Sequence, residues 1–156
     1  MSLAYEFSYQ DRFASTAATA VSRHSSSSVT QIAAFIFTRM DWQRQAENRL
    51  MEVVRLPVGW DGHQGRPSNP SIANYVYSLL EKLMVLPGLP LPSITPVSYG
   101  GIVLEWHRKG WDVEIEIDVP SSHHVYAHEL ATGIEGDFWC GSQLNRMRDV
   151  VRKISD

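Results

Sequence analysis

Between Gly100 and Val119 apolar and polar residues alternate with a period of two, the pattern of strands covered on one face only. Ile102, Leu104 and Trp106 fall on one side, Val103, Glu105 and His107 on the other. Arg108-Lys109-Gly110 interrupts the alternation with a short polar link, whose glycine tolerates the positive φ of a tight hairpin. On the return, Trp111, Val113, Ile115, Ile117 and Val119 form an apolar row opposed by Asp112, Glu114, Glu116 and Asp118. A slip of one residue would bury those carboxylates, so the strand has one acceptable register. The pattern predicts an antiparallel hairpin with one packed and one wet face.

Elsewhere the spacing turns helical. From Thr38 or Asp41 a helix is expected to run to about Arg55, burying Trp42, Ala46, Leu50, Val53 and Val54. Ile32 to Phe37 either extends it or forms a short helix of its own. A second helix is capped by Ser68 or Asn69 and started by Pro70, where a missing N–H costs nothing. It carries Ile72, Val76, Leu79, Leu80 and Leu83 on one stripe and ends before Pro87-Gly88. Ile94 to Ser98 reads as a proline-containing edge strand. His123 to Leu130 reads as a further strand, with Val125 and Ala127 on one side and His124, Tyr126 and His128 on the other. Thr132 to Gly136 is read as a loop. Leu144, Met147, Val151 and Ile154 mark a closing helix with Arg148, Arg152 and Lys153 on its wet face.

The fold class that follows is a two-layer α+β domain. A three- to four-stranded antiparallel meander is covered on one face by two N-terminal helices and a C-terminal helix. Residues 1–30 are Ser-, Thr- and Ala-rich and are expected to form a flexible extension, or an added edge strand over Leu3–Tyr9; residues 31–156 form the single domain.

Charge changes the picture more than composition does. The chain of 156 residues has a formal charge of −3, which gives no general case for nucleic-acid binding. Yet Gly101 to Trp139 holds eight acidic residues against two basic ones, a formal charge of −6. One cysteine, Cys140, rules out an internal disulfide framework, and the expected setting is a reducing cytoplasm. No stretch has the length and apolarity of a membrane span, and no cofactor is implied.

Leu56, the Gly59-Trp60-Asp61-Gly62 loop, a proline-started helix, a proline-rich connection and Gly100-Gly101-Ile102-Val103-Leu104-Glu105-Trp106 follow one another in this chain. That succession resembles a family of small bacterial and phage proteins sharing a GWDG … GGI-x-LEW … IEI pattern. The resemblance covers residues 42–119. It implies a prokaryotic, cytoplasmic protein associated with mobile elements, and it brings no catalytic residues with it.

Three sets of residues could carry chemistry. Gly59, Trp60, Asp61 and Gly62 could face a ligand together with His63. Turn geometry and core filling already account for each residue type there, so they are read as a structural loop. His107, His124 and His128 with Glu105 could converge on zinc or act as acid and base in a hydrolase or nuclease, although their spacing matches no metal signature. Asp112, Glu114, Glu116 and Asp118, with Glu105, could be a solvated face, a binding face or a divalent-metal cluster. Neighbours along a strand lie about 7 Å apart, so at most two could share an ion. Cys140 sits in apolar Phe138-Trp139-Cys140-Gly141 and reads as a buried thiol.

The reading adopted is a non-enzymatic interaction module of inhibitor, antitoxin-like or mobile-element accessory type. It would bind a basic protein partner through Glu105, Asp112, Glu114, Glu116 and Asp118. The metal-dependent enzyme is the alternative, and a homo-oligomer joined at the edge strand near Ile94 is a third.

Overall fold

The computed structural model describes residues 25–141 and 144–155. The expectations for residues 1–24, the strand over Leu3–Tyr9 among them, lie outside the described residues. The chain divides into two units, Met1–Asp41 and Trp42–Asp156, and the second carries the sheet.

Helix α1 (Ser25–Val54) is one continuous helix through Ile32–Phe37, starting earlier than Thr38 or Asp41. In the second unit its stripe of Trp42, Ala46, Leu50 and Val53 is buried. Helix α2 (Pro70–Leu83) begins as its sequence dictates. Asn69 is the N-cap, its side chain accepting from Ser71 N, and Pro70 occupies the first turn. Ile72, Ala73, Val76, Leu79, Leu80 and Leu83 are buried.

The strands are β1 (Ser93–Pro96), β2 (Ile102–Arg108), β3 (Trp111–Val119), β4 (Ser122–Glu129) and β5 (Glu135–Cys140). They form one antiparallel sheet in the order β1-β2-β3-β4-β5, a meander with no crossover. The sheet therefore has five strands, not three or four. The fifth starts inside the segment expected to be loop, at Glu135-Gly136, and continues through residues 137–140, whose alternation is only Phe138 and Cys140 in and Trp139 out. Helix α3 (Leu144–Val151) closes the domain, and Ile154 follows it into the core from the next turn.

The hairpin register is the expected one. Ile102, Leu104 and Trp106 pair with Ile117, Ile115 and Val113, and all six side chains are buried. One core joins them to Val125, Ala127, Phe138, the α1 and α2 stripes and Met147, Val151 and Ile154. Along β3 the apolar row ends sooner than its pattern suggests. The register shifts between Glu116 and Val119, and Val119 is exposed, so Asp118 stands beyond the last β2 partner.

The Gly100-Gly101 pair is explained by close packing at the β1–β2 turn. Gly100 has φ +99°, a region that favours glycine. At Gly101 a Cβ would lie 3.0 Å from the Ile117 carbonyl oxygen and 3.0 Å from a Tyr99 ring carbon. Gly101→Ala is expected to destabilise the domain by about 1–3 kcal/mol, the usual cost of forcing atoms into a filled site. Urea unfolding checks this.

Candidate interaction face

The side of the sheet away from the core is built from the polar residues of each strand. Register places them in three rungs. The first runs His107, Asp112, His128, Glu135; the second Ser93, Glu105, Glu114, Tyr126, Asp137; the third Thr95, Val103, Glu116, His124, Trp139. No lysine or arginine occupies any of these positions. Arg108 and Lys109, the nearest cations in sequence, turn elsewhere: Arg108 donates to the Gly88 carbonyl at 2.6 Å and Lys109 donates to the Ser155 carbonyl.

Several carboxylates are held by neighbours. Thr95 Oγ1 donates to Glu105 Oε2 at 2.8 Å. His107 Nδ1 lies 2.8 Å from Asp112 Oδ1, and that hydrogen bond raises the imidazole pKa above its ordinary value. His124 Nε2 lies 2.6 Å from Asp137 Oδ1, while its ring sits 4.8 Å from that of Trp139. Glu105 and Glu114 are direct cross-strand partners, an arrangement in which like charges repel. Of the five carboxylates singled out in the sequence, Glu105, Asp112, Glu114 and Glu116 stand together on this face. Asp118, inside the register shift and beyond the last β2 partner, is not aligned with them.

The histidines do not converge. His124 and His128 are four positions apart on β4, about 13 Å along an extended strand. His107 and His124 lie in different rungs, His107 against Asp112 and His124 between Asp137 at 2.6 Å and Glu116 at 4.0 Å. Among the described residues no group of three or more His, Cys, Asp and Glu side chains is placed to hold a metal ion.

One histidine that sequence reasoning did not single out is fully buried. His123 has the same strand parity as Val125 and Ala127, which sends it into the core. Its Nδ1 donates to the Cys140 carbonyl at 2.8 Å, and its Nε2 shares a hydrogen bond with the Tyr75 hydroxyl at 2.7 Å. Both ring nitrogens are satisfied, and the ring is a polar tie between α2, β4 and β5. Cys140 beside it is buried, and burial raises its thiol pKa, so it is no poised nucleophile.

The Gly59–Gly62 loop is a turn with its own internal bonds. Asp61 Oδ1 accepts from the His63 and Gly65 amides, each at 2.9 Å, and these bonds hold the carboxyl below its ordinary pKa. Trp60 Nε1 donates to the Arg66 carbonyl at 3.1 Å. The loop is tied to the β1–β2 turn by Arg66 N to Ser98 O at 2.8 Å and by Ser68 Oγ to Gly101 O at 3.0 Å. The basic face expected on α3 is partly used inside the domain, since Arg148 donates to the Lys82 carbonyl at 3.1 Å.

Two concavities lie away from the sheet face. A groove of about 370 Å³ between α1 and α2 is lined by Leu50, Met51, Val54, Ala73 and Tyr77 among others. An open recess beside the Asp61 turn is lined by His63, Arg66 and Tyr99. No helix among the described residues is long and apolar enough to cross a membrane. No family model, curated protein or solved structure matches the chain.

Proposed function

We propose that the chain is a non-enzymatic interaction module that captures a basic protein partner on the open face of its sheet. An inhibitor, an antitoxin-like protein or an accessory protein of a mobile element would work this way. The observation that carries the reading is the Glu105–Glu114 pair, set among Asp112, Glu116, Glu135 and Asp137 with no lysine or arginine in any rung. Repulsion stored in that pairing is relieved when a cation arrives between the carboxylates, so a basic surface gains from docking here. Exposed Trp139 adds apolar and cation–π contact area at one border.

An electrostatic dock of this kind has two signatures. Capture of a basic partner by the immobilised chain is expected to fall steeply as salt rises from about 50 to about 300 mM, because exposed charges are screened over about a Debye length. Capture is also expected to weaken as pH falls from about 7.5 to about 5.5, where histidines ordinarily gain protons. His107, whose pKa is raised by its hydrogen bond to Asp112, gains its proton at a higher pH than an ordinary imidazole and so cancels charge on the face. Capture indifferent to both salt and acid would argue against the reading.

A further inference from the structure

The two edges of the sheet are not equivalent. At β1 the edge is closed: the Ile94 carbonyl accepts from Arg49 Nε at 2.9 Å, and Pro96 has no N–H to offer. β5 has no proline. The bond from Glu129 N to Ile134 O fixes its parity, since hydrogen-bonded pairs alternate along an antiparallel ladder. Gly136, Phe138 and Cys140 turn their main-chain groups to β4. Glu135, Asp137 and Trp139 turn theirs outward, and among the described residues nothing is hydrogen-bonded to those groups. The same three residues project their side chains onto the open face, where Asp137 and Trp139 are 65% and 64% exposed.

We infer that β5 is a receptor edge for an extended segment carrying lysine or arginine at alternate positions, which adds to the sheet as a sixth strand. This rests on the acidic face being the binding face, and it names the partner's form. An added strand takes the outward amides and carbonyls of Glu135, Asp137 and Trp139. Its residues opposite these three share their side of the sheet, so cations there meet two carboxylates and an indole face. The intervening residues fall on the core side, next to Phe138, whose ring is already covered by the Arg146 guanidinium at 3.7 Å. A cation on that side would be repelled, so the partner must alternate charged and uncharged residues. A second copy of the chain is disfavoured at this edge: two β5 strands paired about Asp137 would set carboxylate against carboxylate.

The test uses the full chain and three labelled peptides of about ten residues, alternating lysine and threonine. One is unmodified, one is N-methylated at every lysine amide, and one at every threonine amide; all carry the same charge. Fluorescence anisotropy at about 150 mM salt reads binding. With the peptide added antiparallel, as every neighbour in this sheet pairs, and its lysines on the open face, the lysine amides are those that donate to β5. Methylating them is expected to weaken binding at least about tenfold, whereas methylating threonines leaves it within about threefold of the unmodified peptide. Equal binding by all three, or equal loss with both methylated peptides, overturns strand addition while leaving the acidic face as a dock. Binding by none overturns the acidic-face reading as well.

Discussion

A chain carrying Glu114→Lys and Glu116→Lys together is expected to lose about a hundredfold in affinity for a basic partner and to unfold at nearly the same temperature. Both side chains stand on the central strand of the open face, so any docked surface must pass close to them. Each reversal replaces an attraction with a repulsion, and two contacts worth about 1.5 kcal/mol each multiply to about a hundredfold. The fold loses only the long, solvent-accessible Glu116–His124 contact at 4.0 Å, worth at most about 1 kcal/mol. Glu114 is set against Glu105, so a lysine at position 114 converts a repulsive cross-strand pair into an attractive one worth a few tenths of a kcal/mol. Titration calorimetry against a lysine-rich peptide, with thermal unfolding of both chains, checks the pair of outcomes. Affinity within about threefold of the original would move the dock elsewhere.

On the other face of the same strand the expectation inverts. Ile115→Ala is expected to cost about 2–5 kcal/mol of stability, with the peptide affinity of the still-folded protein unchanged. Ile115 is fully buried between its strand partners Leu104 and Val125, and the helical layer covers that face. Truncation removes its transfer energy and leaves a void that close-packed neighbours fill only in part. Urea midpoints of the two chains measure the loss. A change below about 1 kcal/mol would mean that β3 does not hold the core.

Period-two alternation over Gly100–Val119 determined the hairpin, its register and the side on which the carboxylates stand, because only one alignment avoids burying them. Pro70 and the Ile72–Leu83 stripe place α2 and its buried face, while the choice between Ser68 and Asn69 as cap is made by the Asn69 side chain bonding Ser71 N. Patterning was weaker where residues serve two purposes. β5 was missed because six residues containing a glycine, one acidic edge and an outward tryptophan do not separate a strand from a loop. That omission also hid Glu135, Asp137 and Trp139 from the candidate face. His123 went unnoticed because a histidine at a core parity is read as an exception, yet its two nitrogens are satisfied by Cys140 and Tyr75 on elements distant in sequence. Asp118 was grouped with its neighbours because a register shift leaves no trace in alternation.

The Gly59–Gly62 turn and the Gly100–Gly101 pair, conspicuous in the sequence, meet in space. The residues that follow the first turn make the join: Arg66 N donates to the Ser98 carbonyl and the Ser68 hydroxyl to the Gly101 carbonyl. What makes these residues stand out is the joining of two turns, and they need no ligand to account for them.

The most direct measurement is the set of amide shifts in a ¹⁵N-labelled chain titrated with a lysine-rich peptide. An acidic-face dock concentrates them at Glu105, Glu114, Glu116, His124, Tyr126, Asp137 and Trp139, with the α1–α2 groove around Met51 and Tyr77 silent. Shifts centred on that groove, or none at all, would contradict it.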